Sequence, residues 1–171
     1  MKKTRKILSV ILALIMVFSI IPMSSIVASA TITGDSFGSL TWWFNDQTGV
    51  LNISGNGYMS SYSVATNAQK SPWYSYKDDI TTVVIEDGVL SIGNAAFYNC
   101  TNLESITIPD TVVSIGNYAF KNCKKLNNIS IPESVTSIGD YAFSDCLSLT
   151  SIVIPYGVEE IGVQTFYFCP L

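Results

Sequence analysis

The stretch LESITIPDTVVSIGNYAFKNCKKL, Leu103 to Leu126, recurs with small changes on both sides of itself. Aligned on Ile-Gly, the copies fall at Ile92-Gly93, Ile115-Gly116, Ile138-Gly139 and Ile161-Gly162, always 23 residues apart and without insertion. Phe97, Phe120, Phe143 and Phe166 keep that interval, and so do Cys100, Cys123, Cys146 and Cys169. A fixed period of about 20 to 50 residues marks a solenoid, because one unit cannot bury its apolar face alone and must stack on its neighbours.

Each unit reads as one coil. Ser105-Ile106-Thr107-Ile108 alternates polar and apolar residues with β-branched content, the pattern of a half-buried strand. Pro109, Pro132 and Pro155 lack the N–H that a ladder needs, so the chain leaves the sheet there. Val112 and Ile115 face inward on a second short side, and Gly116 makes the corner. Asn117, with Asn94 and Asp140 in its place in neighbouring units, suits an N-cap, and Tyr118-Ala119-Phe120 is then a short helical turn. Ala96, Ala119 and Ala142 leave room for the adjacent Phe, which supplies the bulk of the core. Val163 and Thr165 break the pattern in the fourth unit.

The line L-x-x-I-x-I-P-x-x-V-x-x-I-G-x-x-A-F-x-x-C resembles the BspA-type leucine-rich repeat surface proteins over residues 80–171, in four coils. The first coil departs from it, carrying Glu86 where the others have Pro. The resemblance implies a solenoid with a parallel β-sheet on one side and short helical turns on the other. It also implies a secreted or surface-displayed protein that binds macromolecules, such as matrix proteins or other cells; it does not imply catalysis, and no cofactor is expected.

Residues 1–30 read as a secretory leader. Lys2, Lys3, Arg5 and Lys6 precede a largely apolar run from Ile7 to Ile21, and Ala28-Ser29-Ala30 is a small-residue cleavage site. The run is shorter than the about 20 residues of a comfortable membrane span, so cleavage after Ala30 and an extracellular or cell-surface location are expected. The remainder has five Lys and no Arg against thirteen acidic residues, a net charge of −8. So few scattered cations exclude a phosphate-backbone footprint, and with it nucleic acid and anionic membrane surfaces.

Four Cys in an exported chain ordinarily suggest two disulfides. Here all four share one position in successive coils, so their side chains point the same way, whereas a disulfide needs converging Cβ vectors. Free thiols are expected, most of them buried, and a straight column cannot set four sulfurs around one tetrahedral zinc. The absence of His removes the commonest general base and the Ser-His and Cys-His nucleophile pairs. Glu86-Asp87 and Glu159-Glu160 are adjacent on extended chain and face opposite ways. Asp87, Asp110 and Glu133 form a column of carboxylates that could attract Ca²⁺, but a solvated turn explains them and Tyr156 interrupts them.

Residues 31–79 precede the repeat. Leu40–Phe44 and Val50–Ser54 flank a Gly-containing loop and read as a β-hairpin, a cap for the apolar edge of the first coil at Val83, Ile85 and Ile92. Trp42, Trp43 and Trp73 all fall here, and a sharper reading makes them an aromatic platform for sugar rings. Ser60–Lys70 reads as a polar loop.

The candidate recognition surface is the outward side of the sheet, carrying Thr82, Val84, Ser105, Thr107, Asn128, Ser130, Ser151 and Val153. The expected role is a non-enzymatic binding module for an extracellular protein or glycan. The alternatives are a structural spacer, or targeting repeats beside an enzyme or anchor domain absent from this chain. The fourth coil stops one residue short of the next motif Leu, with Val158, Ile161 and Phe166 uncovered, so an incomplete repeat array prone to end-to-end association is also expected.

Overall fold

The computed structural model describes residues 31–65 and 69–171; the leader lies outside the described residues. Three strands come first: β1 (Ile32–Phe37), β2 (Leu40–Asn45) and β3 (Val50–Gly55), paired antiparallel in a meander. The hairpin is therefore β2–β3, and β1 is a further strand that alternation in the sequence did not announce. From β3 onward every pairing is parallel. The first sheet runs β1-β2-β3-β5-β7-β9, with β5 (Thr82–Ile85), β7 (Ser105–Thr107) and β9 (Asn128–Ile129). A second sheet runs along the next side of the coil in the order β11-β10-β8-β6-β4. It is formed by β4 (Gly57–Tyr58), β6 (Val89–Ile92), β8 (Ser114–Ile115), β10 (Ser137–Ile138) and β11 (Glu160–Ile161). Two sheets, parallel throughout the repeats, thus stand where one was expected.

The third side corrects the sequence reading. Its turns are not helical, and the one helical element among the described residues is the single 3₁₀ turn Tyr74–Tyr76 in the capping segment. Ala95, Tyr118, Tyr141 and Gln164 hold φ between 52° and 57°, and Asn99, Asn122, Asp145 and Phe168 hold φ between 60° and 64°. Two left-handed residues per turn cannot propagate a right-handed helix. They instead aim alternate N–H groups along the stack: Tyr118, Phe120 and Asn122 donate to the carbonyls of Asp140, Ala142 and Ser144 in the next coil, at 2.7–2.8 Å. Backbone donors that a helix would satisfy internally are satisfied between coils.

Asn117 is consequently not an N-cap. Its Oδ1 accepts the N–H of Asp140 at 2.8 Å, its own N–H donates to Asn94 Oδ1 at 2.8 Å, and Asp140 Oδ1 accepts Val163 N–H at 2.8 Å. Ser61 heads this ladder, its Oγ accepting Asn94 N–H at 3.3 Å. The corner glycine follows from it: a Cβ on Gly116 would lie 2.5 Å from Asn94 Oδ1 and 2.7 Å from Asn94 N.

Inside the coils the Phe side chains form one column. Ring centroids are 5.3 Å apart for Phe97–Phe120, 5.2 Å for Phe120–Phe143 and 5.6 Å for Phe143–Phe166, all near parallel. Trp73 tops it, stacked on Phe97 at 5.7 Å and fully buried, with Nε1 donating to Ala96 O at 2.8 Å. Phe37, Trp42 and Tyr62 close around Trp73 edge-on. The cap is thus part of the solenoid. With β3 and β4 as its strands, Ser61 as its corner acceptor and Trp73 in its core, the segment before residue 80 is itself a coil. Ser61 and Asn94 are 33 residues apart against 23 for Asn94 and Asn117, so this coil carries ten extra residues, which hid it from the period.

Candidate binding surface

The sheet pairing brings most of the proposed recognition residues into rows. Asn45, Val50, Thr82, Ser105 and Asn128 are successive cross-strand partners on five strands. Gly34, Trp43, Asn52, Val84 and Thr107 form the adjacent row. Both rows face outward, because the residues alternating with them, Val83, Ile85, Ile106 and Ile129, lie in the core. Thr107, Asn128 and Ser130 are exposed; Thr82, Val84 and Ser105 are half-buried, and Ser105 Oγ reaches Thr82 Oγ1 at 3.5 Å. Ser130 lies just beyond the end of β9. Ser151 and Val153 are exposed on chain that forms no strand, so the first sheet does not extend over the fourth coil. Val153 retains 82% of its free surface.

The aromatic platform is not assembled. Trp73 has no exposure and Trp42 has 8%, both facing the core, where packing against Phe37, Tyr62 and Tyr76 makes them the cap of the Phe column. Trp43 alone points outward, half-buried in the middle of the sheet face. Beside it, Asn52 is covered and donates Nδ2 to Glu86 Oε1 at 2.8 Å, a tie between the hairpin and the first coil across the outer face. Strict alternation carried through β2 and β3 places Trp43 and Asn52 there, a signal that treating this segment as a separate cap hides.

Chemistry beyond shape is sparse. Asp87, Asp110 and Glu133 are exposed at the turns, and among the described residues no three acidic, Cys or His side chains converge where a metal ion would be held. A shallow cavity of about 610 Å³ lies over Ile85, Glu86, Thr107 and Asp110. The four thiols are unpaired. Cys123, Cys146 and Cys169 each donate Sγ–H to the carbonyl of the Phe 26 residues earlier (Phe97, Phe120, Phe143) at 3.0–3.3 Å, which explains why the motif places Cys at this point. Burial pushes the Cys100 thiol up to about 12 and also raises Cys123. The neighbouring Cys169 thiol and burial raise the Cys146 thiol, and the same contact lowers Cys169.

The sequence profile of the BspA-type leucine-rich repeat region matches residues 70–171 in six copies. Its start at residue 70 agrees with a repeat that begins before residue 80. A crystal structure of a leucine-rich repeat protein from Eubacterium ventriosum is similar at 30% identity and a TM-score of 0.60, over 78% of this chain and 40% of that one. A leucine-rich repeat protein from T. pallidum is similar at 27% identity and a TM-score of 0.55, over 79% of this chain and 67% of that one. One from Bacteroides ovatus follows at 26% identity and 0.55, over 83% and 38%. The chain therefore spans well under half the length of the first and third. No curated protein sequence matches the chain closely enough to carry a function to it. Period, coil geometry and profile agree that the chain belongs to the BspA-type leucine-rich repeat family.

Proposed function

We propose that this chain is an exported, non-enzymatic binding module that recognises an extracellular protein, on a matrix or another cell, through the outer face of its first sheet. The observation that carries the reading is the continuous row Asn45–Val50–Thr82–Ser105–Asn128, in register over five strands and lined mainly by small polar side chains. Flat, polar, rigidly spaced surfaces suit a protein partner better than an enclosed small ligand, which takes a concave pocket. Six strands at about 4.8 Å span about 29 Å, so the face offers on the order of 400 Å². That is half of the roughly 800 Å² per partner of a stable interface, so one chain binds weakly and repetition on a surface supplies avidity.

The test is binding of the purified protein to immobilised matrix proteins and to whole cells, with Asn128→Lys and Ser105→Lys against the parent. Loss of binding at unchanged melting temperature is the expected result. Loss only in step with unfolding, as in Phe120→Ala, sinks the assignment of the face. A second reading, repeats as a spacer, draws on the greater length of the Eubacterium ventriosum and Bacteroides ovatus proteins. Under it, both lysine variants leave the activity of the whole protein intact.

A further inference from the structure

We infer that cleavage between Ala30 and Thr31 creates an ammonium–carboxylate pair between Thr31 and Asp46 that fastens the first strand. The inference rests on the export reading above. Thr31 donates its backbone N–H to Asp46 Oδ1 at 2.9 Å, and Asp46 returns its own N–H to Thr31 O at 3.3 Å. These bonds lie one step beyond the Ile32–Asn45 pair, at the open end of the β1–β2 ladder. β1 is an edge strand bonded on one side only, so this end is where it would fray.

The hairpin loop does not need the Asp46 carboxylate. Asn45 Oδ1 accepts the N–H groups of Gln47 and Thr48 at 3.0 and 3.2 Å, and Asn45 O accepts that of Gly49 at 2.9 Å. Besides the Thr31 N–H, Asp46 Oδ1 takes only a long contact from Gln47 Nε2, at 3.5 Å.

Before processing, Thr31 N is a neutral amide with one N–H. Hydrolysis of the Ala30–Thr31 bond by a leader peptidase consumes one water: the hydroxyl completes the Ala30 carboxyl group, and the amine released on Thr31 takes up a proton. An α-amino group titrates near about 7.7–8.0, so at neutral pH it is mostly ammonium. The charge arises at an atom already 2.9 Å from a carboxylate oxygen. A hydrogen bond becomes a charge-assisted one, and only when cleavage falls at this bond.

The test expresses the full chain in an exporting bacterial host and sequences the N-terminus of the released product. The product is then acetylated with a succinimidyl ester at pH 7, and the α-amine rate is compared with the Lys rates in the same molecule. Pairing holds the amine in its unreactive ammonium form, so Asp46→Asn, which keeps an Oδ1 acceptor and removes the charge, should speed acetylation of the α-amine about two- to fivefold while Lys rates stay fixed. A product beginning at Thr31 with that acceleration is the expected result. A product beginning at Thr31 with equal rates overturns the charge pair and leaves export standing. A product beginning elsewhere overturns the processing site, and no release removes the export reading itself.

Discussion

Replacing Asn117 by Ala separates the intercoil ladder from the N-cap that the sequence suggested. The substitution removes the acceptor 2.8 Å from Asp140 N–H, while the amides of Ala119 and Phe120, which an N-cap would serve, keep their partners at Gly116 O and Ala142 O. Asp140 is half-buried, so its orphaned N–H reaches water only in part, and the loss is about 1–2 kcal/mol, or roughly 3–8 °C in Tm for a domain of this size. Asn117→Asp keeps the acceptor and restores most of the loss. The discriminating measurement is residue-resolved amide hydrogen exchange: Asp140 loses protection, Ala119 and Phe120 do not. Faster exchange at Ala119 or Phe120 with Asp140 unchanged would refute the ladder and reinstate the cap.

Three further outcomes follow from the same packing. Phe120→Ala, in the middle of the Phe column, lowers stability by about 3–5 kcal/mol in denaturant titration, more than any single change on the sheet face. Gly139→Ala is destabilising by about 1–3 kcal/mol although the φ of Gly139 is ordinary, because its Cβ meets Asn117 N at 2.6 Å; a neutral result in thermal melts would show that the coils can part at the corner. Alkylation read by mass labels Cys169 alone in the native protein and four thiols after denaturation. Cys169, the least buried of the four and lowered by its contact with Cys146, reacts first; native labelling of Cys100, whose thiol is pushed up to about 12, contradicts this packing.

The parts of this fold legible in the sequence are those in which one residue meets its own copy in the next coil. Phe120 lies on Phe97 and Phe143, and Ile115 pairs with Ile92 and Ile138, so each position is selected by itself and returns every 23 residues. The first complete coil escaped because ten added residues between Ser61 and Asn94 shift its register, and because Trp73 takes the place of Phe at the head of the column. The turn conformation escaped for another reason. Asn-Tyr-Ala-Phe satisfies the local rules of a capped helical turn, and only neighbouring carbonyls, supplied by another coil, make two left-handed residues per turn the better solution.

The same distinction governs the outer face of the first sheet. Along the row Thr82, Ser105, Asn128 the residue changes from coil to coil, while the Ile beside each is kept as Val83, Ile106, Ile129. Packing constrains the inward position and leaves the outward one free, so alternation identifies which residues face out and carries no information about what they meet. Trp43 and Asn52 extend the face only because β2 and β3 join the repeat sheet, a pairing between residues 32 apart, such as Leu51 with Val83, that no 23-residue period displays. The face therefore combines a periodic part, whose spacing the fold sets, with an aperiodic part around Trp43. Under the binding role proposed above, Trp43→Ala is expected to weaken binding more than Thr107→Ala at equal stability.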